Sequence, residues 1–122
     1  MTVARLKTGR QGEEIAVHFL RKEGYLILER NFRCPFGEMD IVARERDVIV
    51  FVEVRSRRSQ SFGTPVESIG RVKQRKLSRI ALCYIQKNRL QSFKARFDVL
   101  GIKIRDEGSE IELIRDAFDV VF

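Results

Sequence analysis

The stretch Gly37-Glu38-Met39-Asp40-Ile41-Val42-Ala43-Arg44-Glu45, joined through Arg46-Asp47 to Val48-Ile49-Val50-Phe51-Val52-Glu53-Val54-Arg55, decides how this chain is read. Its first half alternates, which places Met39, Ile41 and Ala43 on one face of a strand. Its second half is rich in β-branched residues and reads as a central, well-buried strand. The short Glu45-Arg46-Asp47 link makes the two an antiparallel hairpin. Two acids stand where acids are least expected. Glu53 interrupts the most apolar strand of the protein, and Asp40 lies among Met39, Ile41 and Val42. An ionised carboxylate is costly to bury alone, so Glu53 requires a cation, a metal or solvent at the strand's end.

The loop decides whether the two acids meet. If it has an even number of residues, such as Arg46-Asp47, Glu45 pairs with Val48, and counting back sets Asp40 opposite Glu53 on one sheet face. An odd loop shifts the register by one and sends them to opposite faces. Arg-Asp is a poor type I′ pair, so the loop residues leave both registers open. In the even register the carboxylates repel each other, which raises one pKa unless a positive charge intervenes. A hard divalent cation, Mg²⁺ or Mn²⁺, meets that need through oxygen ligands, and the Val54 carbonyl could add another. Arg55, two residues beyond Glu53, shares its face. Such a group could activate water and stabilise charge building on a phosphodiester. The competing reading is a salt-bridged Asp–Glu–Arg group with a structural role.

Working outward, Gly12, Ile15, Ala16, Phe19 and Leu20 form one apolar helical stripe. Thr8 is the expected N-cap and Gly24 the left-handed C-cap. His18 falls on the polar side and has no assigned role. Tyr25 to Arg33 reads as a strand, broken by Cys34-Pro35-Phe36-Gly37. Beyond polar Ser56 to Gly63, Thr64-Pro65-Val66-Glu67 has the form of a capping box, although Gly70 weakens it and moves the stable helix start towards Arg71. From there to Asn88, Leu77, Ile80, Ala81, Tyr84 and Ile85 make a core-facing stripe. Phe97 to Ile104 and Glu110 to Ile114 read as two more strands; Arg115 to Phe122 is ambiguous. The order helix, three strands, helix, two strands implies an α/β fold with a mixed sheet and helices packed on it.

The chain has 122 residues, 43% hydrophobic and 34% charged, which fits a single domain spanning 1–122. Its longest apolar run is far too short for a bilayer, and the N-terminus has no apolar leader. A cytoplasmic, membrane-free protein is therefore expected. Cys34 and Cys83 are distant and outside any CxxC, and His18 is the one histidine, so a zinc site lacks ligands; reduced thiols are expected rather than a bridge. Lys and Arg number 24 against 17 Asp and Glu, a net charge of +7 that suits a polyanion, nucleic acid first. Arg71, Arg75 and Arg79 repeat every four residues on the second helix, with Lys73 and Lys76 beside them. Arg57 and Arg58 follow the Glu53 strand. These are the candidate phosphate contacts, and they carry no base specificity.

The residues Gly37 to Ala43 with Val52-Glu53-Val54-Arg55 resemble the Asp…Glu-x-Lys core of restriction-endonuclease-like nucleases. More closely, the chain resembles the YraN-like family (UPF0102), itself similar to archaeal Holliday-junction resolvases. The likeness runs nearly end to end. It takes in Gly9, Gly12-Glu13, Ala16 and Gly24, the Gly-Glu-x-Asp-Ile-Val-Ala strand, Phe51 to Arg55, Gly63, Val72-Lys73, Lys76-Leu77, Arg96-Phe97-Asp98-Val99 and Asp116-Ala117-Phe118. The resemblance implies a restriction-endonuclease-like fold, with Asp40 and Glu53 as metal ligands and Glu13 as a further acidic member. Glu38 could approach the same site or be solvated. Arg55 stands where lysine is usual; arginine keeps the charge and can clamp phosphate, but is a poor proton shuttle.

The expected function is Mg²⁺-dependent phosphodiester hydrolysis on structured nucleic acid, DNA before RNA, with a homodimer left open. The rival is a non-catalytic nucleic-acid-binding module that retains the acids as ion pairs. A scaffold that binds protein through its sheet edge is the third class.

Overall fold

In the computed structural model the described residues are 3–58 and 65–120, with side chains described from Arg10 onward and not for Arg58. The elements are α1 (Val3–Lys22), β1 (Leu26–Cys34), β2 (Gly37–Glu45), β3 (Val48–Arg58), α2 (Arg71–Lys87), β4 (Lys94–Arg105) and β5 (Gly108–Phe118). The five strands form one sheet in sequence order, with β3 and β4 parallel and every other neighbouring pair antiparallel. The parallel pair is reached by the α2 crossover, as a parallel connection requires. This is the α/β architecture expected, consistent with a restriction-endonuclease-like fold. No helix among the described residues is long and apolar enough to cross a membrane.

Each sheet face carries its own core. Ala16, Val17 and Leu20 of α1 pack with Tyr25 on Ile41, Ala43, Val50, Val52, Leu100, Ile102 and Ile104. Leu77, Ile80, Ala81 and Tyr84 of α2 pack on Phe32, Met39, Val42, Ile49, Phe51, Phe97 and Val99 from the other side. β3 is buried on both faces from Ile49 to Val52, which explains its apolar run ahead of Glu53. Helix α1 closes on Gly24, at φ +92, with Tyr25 N–H donating to the Leu20 carbonyl and Gly24 N–H to that of Arg21. These two bonds satisfy carbonyls that the helix end would otherwise orphan. At Gly12 the helix touches β3 so closely that a Cβ would collide with the Ser56 side chain.

Three local expectations need correction. Thr8 lies inside α1 rather than at its cap, because the good helix formers Ala4, Arg5, Leu6 and Lys7 extend the helix to Val3. Thr64 lies outside the described residues, and Pro65 to Ser68 form a turn rather than a helical start. α2 begins at Arg71 behind Gly70, which makes no side-chain cap. Met39 does not share a face with Ile41 and Ala43: it joins the α2-side core, and they join the α1-side core. The alternation breaks where Asp40 lies abreast of Asn31, between the pairs Arg30–Ile41 and Phe32–Met39. Asn31 takes φ +53, a left-handed turn of the backbone that reverses which face each neighbour meets.

The Arg96-Phe97-Asp98-Val99 and Asp116-Ala117-Phe118 segments build a second polar group on the opposite face of the sheet from Glu53, with Asp98 paired to Val52 and turned towards Tyr25. Asp98, fully buried, accepts from Tyr25 Oη at 2.7 Å, Arg96 Nε at 3.0 Å and the Asp116 N–H at 3.0 Å. That last donor is freed by the register shift in β4–β5 between Phe97 and Val99. Arg96 and Arg115 both reach Glu45, at 2.8 and 2.9 Å. The network ties β2, β4 and β5 to the end of α1, and its partners offset the cost of burying the charges.

Candidate functional site

The β2–β3 hairpin takes the even register. Glu45 pairs with Val48 and Ile41 with Val52, with Arg46 at φ +57 in the connecting turn. One further step sets Asp40 beside Glu53. Phe51 lies in the α2-side core and Val52 in the α1-side core, so alternation turns Glu53 towards α2. The side chains of Asp40 and Glu53 hydrogen-bond to each other, and the Val54 N–H donates to Asp40 Oδ2 at 2.8 Å.

The Asp40 carboxyl holds its proton because of where it sits. Burial, then the hydrogen bond to Glu53 and its charge, push the Asp40 carboxyl up from 3.8 to about 8; the Val54 N–H and Lys73 pull the other way without prevailing. Glu53 is 5% exposed. Its Oε2 lies 3.4 Å from Lys73 Nζ and 3.5 Å from Arg55 Nη2. Arg55 arrives by strand alternation, two residues along β3. Lys73 arrives from α2, four residues before the buried Leu77, where helical geometry turns it towards the sheet. Among the described residues, Arg55 Nε is buried with no hydrogen-bond partner, a donor that an anion or a water would satisfy.

Glu13 occupies a different position. It lies on α1, across the sheet, 3.9 Å from Arg30 Nη2. With its amide nitrogen facing both carboxylates, Asn31 donates to Glu13 at 3.0 Å and to Glu38 at 2.8 Å. Asn31 neighbours Asp40 across β1–β2, so Glu13 and Glu38 border the pair through this amide. Among the described residues no three acidic, histidine or cysteine side chains converge as a metal cage.

The basic residues of α2 divide between its two sides, and Arg57 lies apart from both. Lys73 contacts Glu53, and Lys76 lies against Gly37, where a Cβ would fall 2.6 Å from its Cε. Arg71, Arg75 and Arg79 are exposed on the far side of α2, opposite Leu77, Ile80, Ala81 and Tyr84. Arg57 borders a shallow cavity with Lys103, Glu110 and Glu112, and the Arg58 side chain lies outside the described residues. Sequence reasoning placed Lys73 with the phosphate contacts and missed its grip on Glu53. The signal was present in its four-residue spacing from Leu77. It missed Asn31 altogether, an amide in a strand otherwise read as aromatic and aliphatic.

Fold and site together define a small α/β domain of the restriction-endonuclease-like kind, with a buried carboxyl pair where two antiparallel strands meet and two cations against it. The chain belongs to the uncharacterised protein family UPF0102, whose model matches residues 12–102. It is 51% identical over 117 residues to a UPF0102 protein of Syntrophus aciditrophicus (strain SB), covering 96% of this chain and 92% of that one. A UPF0102 protein of Syntrophotalea carbinolica is 47% identical over 98% of each chain. One from Moorella thermoacetica is 44% identical over 97% of this chain and all of its own. The matched span holds the acid pair, Arg55 and the basic residues of α2, and ends within β4.

Proposed function

We propose that this protein binds nucleic acid, DNA before RNA, and hydrolyses phosphodiesters in structured DNA with Mg²⁺ or Mn²⁺. The observation that carries the reading is the Asp40–Glu53 pair with Lys73 and Arg55 against it. The donor chemistry fits a hard cation: two adjacent carboxyls supply oxygen ligands, the Val54 carbonyl is the candidate third, and a small octahedral ion keeps waters for its remaining positions. The raised Asp40 pKa supports the fit, since the pair holds a proton where a cation would relieve the same repulsion. Glu13 would assist from the rim through Asn31 and Glu38. When bound, the metal would supply a water acidic enough to attack at neutral pH and would offset the charge developing on phosphorus.

The chain's own residues prepare the substrate. Arg55, with an unpartnered buried Nε, would donate to a phosphate oxygen and hold it with two donors. Lys73 adds a compact positive charge on the same side. Lys76 extends the positive path along α2 towards the β1–β2 hairpin. Arg71, Arg75 and Arg79 would attract the backbone from the outer face of the helix, a contribution to affinity rather than to chemistry.

One observation favours a binding module without catalysis: Glu53 already has two cationic partners and Asp40 a proton, a group that is complete as ion pairs. A cleavage panel of junction, flap, single-stranded and duplex DNA, with RNA, in Mg²⁺ and in Mn²⁺ separates the two. Metal-dependent cleavage lost in Asp40→Asn supports the nuclease. If no substrate is cleaved, while Asp40→Asn/Glu53→Gln loses stability and binds DNA independently of metal, the binding module stands.

A further inference from the structure

Cys34 and Cys83 are distant in sequence, yet the fold brings them together. Cys34 ends β1, opposite Gly37. The side of α2 from Lys76 to Lys87 runs along this end of the β1–β2 hairpin. Lys76 and Ile80 lie against Gly37, the Phe32 ring meets Tyr84 edge-on at 5.0 Å, and Lys87 Nζ sits 5.6 Å above Phe32. Cys83, one turn after Ile80 and one before Lys87, faces the same strand end. Both cysteines pack against one core cluster, both are free, and both are half-buried. Their side chains hydrogen-bond to each other.

We propose that Cys34 and Cys83 are a dithiol pair that closes to a disulfide joining the end of β1 to α2, in exchange with a low-molecular-weight disulfide of the glutathione type. In the first step one protein thiol, as thiolate, attacks a sulfur of glutathione disulfide. A mixed disulfide forms and one glutathione thiolate leaves. The second cysteine gives its proton to solvent and attacks the protein sulfur of that mixed disulfide, forming the Cys34–Cys83 bond and expelling the second glutathione thiolate. Two protein thiols are oxidised, one glutathione disulfide is reduced to two thiols, and protons balance. The fold favours the second step because the partner sulfur is already in contact, so the closure entropy has been met by folding. Burial and the neighbouring Cys34 push the Cys83 thiol up, and Lys87 favours its thiolate. The site is independent of the acid pair.

The test equilibrates the full reduced chain in glutathione buffers of graded ratio, quenches with acid, counts thiols and maps the linked peptides. The expected result is loss of both thiols together, a mass lower by two hydrogens, a Cys34–Cys83 linked peptide, and no dimer. The oxidised chain should melt several degrees higher than the reduced one, since the bond closes a long loop. Cys83→Ala and Cys34→Ala should each hold one glutathione adduct instead. Accumulation of glutathione adducts on the wild-type chain, disulfide-linked dimers, or two free thiols at a ratio that oxidises the urea-unfolded chain would overturn the proposal. These readouts use the wild-type chain alone, so they decide the matter even if the alanine variants do not fold.

Discussion

Asp40 and Glu53 hydrogen-bond side chain to side chain across the β2–β3 pair, and the Asp40 carboxyl is held up at about 8. An acid whose folded-state pKa exceeds its unfolded value favours the folded state at low pH. That contribution is complete below about pH 4 and is lost as pH rises through about 8. Wild type should therefore lose stability relative to Asp40→Asn across this window, where the asparagine cannot ionise. Urea midpoints of both proteins from pH 4.5 to 8.5, in EDTA, measure the difference; a gap that widens in favour of wild type with pH would contradict the assignment.

A cation bound by the pair must displace the proton held on Asp40. Calorimetric titration of Mg²⁺ at pH 7, repeated in two buffers of different ionisation enthalpy, should show release of up to about one proton per ion, since the carboxyl is largely protonated below its raised pKa. Mg²⁺ should also raise the thermal midpoint of wild type, an effect that EDTA reverses and Asp40→Asn/Glu53→Gln lacks. Equal heats in both buffers would mean that no proton leaves the pair.

Lys73 and the outer arginines should separate cleanly. Lys73→Met leaves the nearly buried Glu53 with Arg55 alone and should cost about 1–3 kcal/mol of stability, as for a charged group losing a partner. Cleavage should fall at least about tenfold, the scale of one transition-state contact, with Lys73→Arg recovering part of it. Arg75→Ala/Arg79→Ala should keep low-salt cleavage and make the slope of log K against log salt shallower by about 1.8, from about 0.9 per phosphate contact. An unchanged slope removes the outer face of α2 from the nucleic-acid surface.

The network around Asp98 should behave as structure rather than chemistry. Arg96→Met leaves Asp98 without its guanidinium and Glu45 with Arg115 alone, and is expected to cost about 3–5 kcal/mol, the range for breaking a buried pair. Denaturant unfolding measures the loss. Mg²⁺ binding at the acid pair, on the other face of the sheet, should be unchanged under conditions where the variant is folded.

The sequence by itself determined the element types and their order, because apolar periodicity and breaker residues are local. The apolar run of β3, the stripe of α2 and the Gly24 cap all act within a few residues of where they appear. It also singled out Asp40 and Glu53, since an acid in an apolar strand is conspicuous without any fold. Only the tertiary structure decided whether they meet. The Arg46-Asp47 turn has no strong preference of its own, and the assembled sheet takes the even register, pairing Glu45 with Val48 and Ile41 with Val52. The flip of Met39 away from Ile41 depends on Asn31 in the neighbouring strand, and Lys73 reaches Glu53 only once α2 docks on the sheet. The contact of Cys34 with Cys83 is of the same kind: two side chains far apart in the chain meet because a strand end and a helix share one core, which no local pattern encodes.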